Sequence, residues 1–124
     1  MIPGVAGDSD NMYQIALIKH IRKHFKIVTL LFRGSNGVPI TSARLATPSS
    51  WDDIQAGIEY VSKTYVRDQK TGKKQCRFYA YGCSLGASLL CLYLIYGSKS
   101  SEKELDGAAM YGTPWDHKKG RDKF

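Results

Sequence analysis

Ser84 is the residue whose neighbours equip it for chemistry. It stands in Gly82-Cys83-Ser84-Leu85-Gly86, with a short aromatic stretch before it (residues 76–81) and a long apolar stretch after it (residues 87–96) that Gly97 ends. A serine between a strand and a helix is forced into a sharp, strained turn that lifts its hydroxyl clear of the backbone. Only very small residues two positions before and after let strand and helix pass so closely, and Gly82 and Gly86 fill those places. The bare G-x-S-x-G spacing recurs by chance; the strand before it and the helix after it narrow the reading, against the alternative of a glycine-rich turn with an idle serine. The chemistry such a turn supports is acyl transfer. A serine hydroxyl attacks once a histidine takes its proton and a carboxylate fixes that histidine, while two main-chain N–H groups receive the developing oxyanion. This needs no metal and no organic cofactor. His117 adjoins Asp116, but adjacent residues on an irregular segment rarely reach both required geometries, and His20 and His24 read as surface residues of a helix.

Several elements must hold that turn in place. Residues 11–25 read as a helix, with Ile15, Ile18, Ile21 and Phe25 marking an apolar face and Asp8, Ser9 or Asp10 available as its N-cap. Residues 27–32 are a continuous apolar and β-branched run, the pattern of a parallel strand buried on both faces. A long loop follows, and Ser50 with Asp53 forms a capping-box-like start to a second helix whose Trp51, Ile54, Ile58, Val61 and Tyr65 recur at helical spacing. That stripe is core. A basic loop (residues 68–74) leads into the strand at 76–81, and after the helix that ends near Gly97 a polar stretch (98–104) precedes one more short strand at 105–112. The alternation predicts an α/β domain, one unit over residues 1–124, with a mostly parallel sheet flanked by helices.

At 124 residues with 43% apolar and 23% charged residues, the chain suits a single folded core. No run approaches the eighteen or so apolar residues of a membrane span, and no targeting pattern is visible. Cys76, Cys83 and Cys91 lack metal-ligand spacing and sit in apolar segments, so they read as buried free thiols, which fits a reducing, cytoplasmic setting. The formal charge is +7. Its clusters at 19–26 and 70–74 both precede strands and so fall on the sheet edge away from Ser84, where they do not steer a substrate; only His117, Lys118, Lys119, Arg121 and Lys123, beyond the last strand, lie on the working edge. Basic and aromatic residues are not interleaved on one face, which speaks against nucleic acid as a partner.

Five stretches resemble one family in its own order: Pro3-Gly4-Val5-Ala6-Gly7-Asp8-Ser9, Phe32-Arg33-Gly34 through Pro39, Arg44-Leu45, Gly82-Cys83-Ser84-Leu85-Gly86-Ala87, and Pro114-Trp115-Asp116. They are similar to the α/β-hydrolase fold, in particular to the abhydrolase domain-containing esterases, lipases and medium-chain acyltransferases. The resemblance implies a partial α/β-hydrolase fold that lacks early and late strands, with Ser84 as nucleophile and the N–H groups of Leu85 and Val5 as oxyanion donors. It implies a small-molecule ester or lipid substrate, no cofactor, and possible access to the cytoplasmic side of a membrane. Arg33, Gly34 and Arg44 would shape the site. The family's acid and histidine lie well beyond its Pro-Trp-Asp motif, whereas this chain ends eight residues after Asp116, so an internal part of a longer hydrolase is expected. A non-catalytic binding module on the same fold is the alternative. The resemblance also sets the strand leading into Pro3 between residues 27–32 and 76–81, with Met1-Ile2 as its remnant. Those two strands are then expected either to pair directly or to leave open edges.

Overall fold

The structure, a computed structural model, describes residues 1–5, 7, 11–116 and 119. The expected N-caps Asp8, Ser9 and Asp10, and His117, lie outside the described residues.

The centre of the fold is helix α3, Leu85–Tyr96, whose Ala87, Leu89, Leu90 and Tyr93 are wholly removed from solvent. A helix apolar on most sides is stable only when enclosed. Strand β1, Tyr79–Cys83, covers one side and helix α2, Trp51–Val61, another. Ile54 and Ile58 of α2 meet Leu89, Leu90 and Tyr93 together with Ile2 and Ala80, and this cluster is the core. Each large aliphatic side chain so buried contributes about 1.5–3 kcal/mol.

From α3 the chain crosses through a short helix, α4 (Ser98–Glu104), to strand β2 (Gly107–Tyr111), which runs parallel to β1 with Tyr79 opposite Gly107 and Cys83 opposite Tyr111. The polar stretch 98–104 is therefore helical rather than a plain connection. Ser101 and Glu104 turn inward, and Glu104 meets Ser62 and Arg67, so a buried polar cluster stands where an apolar stripe would have announced the helix.

Several expectations need correction. Helix α1 covers Met12–Ile21, and its fully buried residue is Gln14, while Ile15, Ile18 and Ile21 are half-buried and Phe25 is exposed. The periodicity of α2 holds to Val61, but the next five residues, Ser62–Val66, form a π-helical turn. The wider turn leaves Tyr65 exposed and brings Val66 inside instead. The capping box does not form: Ser50 Oγ accepts the Thr47 N–H at 3.0 Å, and Asp53 is taken by Arg33. Cys76 is exposed and Cys91 half-buried, so of the three free thiols only Cys83 is buried.

Residues 27–32 are extended and half-buried but belong to no ladder of the sheet, and they do not pair directly with β1. Met1 and Ile2 lie between the two. Ile2 bridges Gly82 in parallel, donating to Tyr81 O at 2.8 Å and accepting from Cys83 N at 3.1 Å, while Leu30 N donates to Met1 O at 2.9 Å. A cavity of about 560 Å³ opens between Val28 and Leu30 on one side and Phe78 and Ala80 on the other. The ladder bonds of β1 accordingly begin at Tyr79, where Gly107 supplies a partner, and not at Cys76.

Candidate active site

Ser84 joins β1 to α3 with φ 52° and ψ −118°, a left-handed region that a residue bearing a side chain enters at a cost. The strain persists because the main chain is held on both sides of it. Ser84 N donates to Tyr111 O at 2.9 Å, and Ser84 O accepts from Ala87 N at 3.0 Å and Ser88 N at 3.1 Å. Its hydroxyl hydrogen-bonds to no described residue, and the side chain is partly open to solvent.

The glycines explain how so tight a crossing is reached. A β-carbon on Gly82 would stand 2.5 Å from Gly86 O and 2.8 Å from Ala87 Cα, and one on Gly86 would overlap the carbonyl oxygens of Ile2 and Pro3. The Met1-Ile2-Pro3 strand stub thus packs directly on the first turn of α3, which brings the loop after it to the serine. Gly4 is the point of contact: a β-carbon there would come 3.1 Å from Ser84 Cβ.

Two main-chain N–H groups in the segments that meet here have no described acceptor. Leu85 opens α3, so its N–H has no carbonyl within the helix to reach, and it donates to no described residue. The Val5 N–H is likewise without a described acceptor, and its side chain is exposed. The geometry therefore gathers Ser84, Leu85, Gly82, Gly86 and the Gly4-Val5 loop in one place. Asp116 is described but exposed, with Lys119 at 3.9 Å, and His20 and His24 are exposed on or just after α1. Among the described residues no histidine or carboxylate hydrogen-bonds to Ser84, and none form a cluster able to hold a metal ion. The cavity of about 560 Å³ is not lined by any of these site residues.

Arg33 and Arg44 do not reach the serine. Each grips a carboxylate at the start of α2 in a two-pronged pair, Arg33 with Asp53 and Arg44 with Asp52, all four hydrogen bonds at 2.6 Å. The hydrogen bond to each arginine, with its charge, holds Asp52 and Asp53 below the ordinary carboxylate range although partial burial pushes the other way. These pairs fasten the long loop 33–50 to the helix. A residue that the motif pattern passed over is Tyr13. The Tyr13 hydroxyl oxygen accepts the Gly4 N–H at 3.2 Å, and an aromatic residue in the first turn of a helix beside a glycine-rich loop was the available sign.

Three curated proteins are similar to this chain. The medium-chain fatty acid ethyl ester synthase/esterase 2 of Saccharomyces cerevisiae is 29% identical over 118 residues, 94% of this chain and 24% of that protein. Embryogenesis-associated protein EMB8 of Picea glauca is 27% identical over 117 residues, 94% of this chain and 23% of that protein. An abhydrolase domain-containing protein of Dictyostelium discoideum is 31% identical over 100 residues, 79% of this chain and 24% of that protein. These relatives point to the α/β-hydrolase superfamily, the resemblance that the motifs carry. The chain spans about a quarter of the length of the curated relatives it matches. No family model matches it, and no solved structure does.

Proposed function

We propose that this chain carries the nucleophile half of a serine esterase site within an α/β-hydrolase fold. Ser84 Oγ attacks the carbonyl carbon of a carboxylic ester, the carbonyl oxygen becomes an oxyanion between the N–H groups of Leu85 and Val5, and the alcohol leaves. The acyl group then passes from serine to water or to a second alcohol. The positive end of α3 also faces the oxyanion and favours its charge. The proton taken from Ser84 requires a base beyond the described residues. The observation that carries this reading is the strained Ser84 turn, closed by Gly82 and Gly86, with the Gly4-Val5 loop laid against it.

An acyl substrate is supported by the surroundings. Val5, Met12 and Tyr111, from segments that meet at the Ser84 end of the sheet, are all more than two-thirds exposed. Apolar side chains left open around one edge suit a lipid or medium-chain acyl ester. Turnover of p-nitrophenyl esters of two to twelve carbons, by the protein expressed from its complete gene, tests the reading. Activity that Ser84→Ala abolishes is expected, and activity that survives the substitution would assign the reaction elsewhere. A binding module is the second reading, favoured by the lack of a hydrogen-bonded histidine at Ser84 among the described residues. It predicts ester binding without turnover.

A further inference from the structure

The Tyr13 hydroxyl oxygen accepts two hydrogen bonds, from the Gly4 N–H at 3.2 Å and from Gln14 Nε2 at 3.4 Å. In both the phenol oxygen is the acceptor, so neither bond uses its single donor hydrogen. No described residue takes it. Gln14 is only 1% exposed, and its other amide atom, Oε1, is buried without a partner. The Gln14 amide is thus buried directly beside the Tyr13 oxygen. The Tyr13 oxygen and Ser84 Cβ both flank Gly4, 3.6 Å and 3.1 Å from the point where a β-carbon on it would stand. A β-carbon there would crowd Ser84 Cβ and stand in ordinary contact with the Tyr13 oxygen.

We propose that Tyr13 is a catalytic residue, donating its hydroxyl hydrogen to the oxyanion formed at Ser84 alongside the N–H groups of Leu85 and Val5. This rests on the reading of Ser84 as nucleophile. Accepting from two donors polarises the phenol and makes its own hydrogen a better donor, so the Gly4 and Gln14 contacts strengthen the group as well as orient it. Tyr13 is 41% exposed, and no described residue accepts its hydroxyl hydrogen.

The test follows the rate at which a fluorophosphonate modifies Ser84, read by intact mass, in the protein expressed from its complete gene. Three forms are compared: the unaltered protein, Tyr13→Phe, and a protein with 3-fluorotyrosine at position 13, whose hydroxyl donates more strongly and accepts more weakly. Loss of a donor lowers the rate about 100-fold in Tyr13→Phe, and the fluorinated form reacts faster than the unaltered one while its phenol stays protonated. A hydroxyl that merely steadies Gly4 slows both altered forms, and that result overturns the proposal, as does an equal rate in all three. If the unaltered protein is not modified at Ser84, the nucleophile reading falls and takes this one with it. Modification that ignores Tyr13 overturns the role of Tyr13 alone.

Discussion

Replacing Gly86 with alanine tests the packing that builds the serine turn. Gly86 has an ordinary helical φ, so the new methyl introduces no dihedral strain, and helix propensity alone favours alanine by about 1 kcal/mol. The methyl would nevertheless overlap the carbonyl oxygens of Ile2 and Pro3 and stand 2.7 Å from Ile2 C. All three atoms are backbone, so the Met1-Ile2-Pro3 stub must shift away from α3. That shift sacrifices the Ile2 N to Tyr81 O and Cys83 N to Ile2 O hydrogen bonds, each worth about 0.5–1.5 kcal/mol. Overpacking adds about 1–3 kcal/mol. After the propensity gain, a net loss of about 3 kcal/mol is expected. Gly72→Ala is the control, because there the methyl meets nothing within 4 Å but φ is +69°, a strain of about 1 kcal/mol. Urea unfolding followed by tryptophan fluorescence and far-ultraviolet circular dichroism measures both. Gly86→Ala less damaging than Gly72→Ala would show that backbone conformation, not the close crossing, is what glycine serves here.

Three further outcomes follow from particular contacts. Burial pushes the Glu104 carboxyl up, but hydrogen bonds from Ser62 and Arg67 outweigh it and hold the group below the usual carboxylate range. Its contribution is therefore complete above the unfolded carboxylate value and is lost as pH falls through the lowered one, a slope that Glu104→Gln removes from the pH dependence of unfolding; a slope unchanged in the variant contradicts the assignment. Iodoacetamide should alkylate Cys76 first and Cys83 last under native conditions, since the first is exposed and the second buried, and mass mapping of the modified peptides reads the order. Asp52→Asn with Asp53→Asn frees the loop 33–50 from α2, so limited proteolysis should cut that loop faster while the unfolding midpoint barely moves; an unchanged cleavage rate would show that the pairs do not hold it.

What the residues announced, and what they concealed, has physical causes. The Ser84 turn was legible because a close crossing leaves a local trace: no side chain fits at Gly82 or Gly86, and φ at Ser84 is indeed positive. Helix α2 was legible because Ile54, Ile58 and Val61 face one core. Tyr65 misled because the π-helical turn breaks the 3.6-residue spacing on which the pattern rests. Residues 27–32 carry the composition of a buried strand, but a strand requires neighbours on its edges, and among the described residues Met1 alone bonds to them from the side of β1. Helix α4 was hidden because its inward side is serine and glutamate. Tyr13 was hidden for a different reason. Its proximity to Ser84 comes from laying the first loop over the start of α3, a tertiary arrangement with no periodic sign.

The central claim is that Ser84 is a nucleophile, and the most direct measurement is fluorophosphonate labelling of the protein expressed from its complete gene, followed by tryptic mapping. Residues 78–99 form one tryptic peptide that holds Ser84, Ser88 and Ser98. The account predicts a single adduct on Ser84, absent from Ser84→Ala and from heat-unfolded protein. An adduct on Ser88, on Ser98 or outside this peptide, or no adduct under conditions that label a known serine esterase, would contradict it.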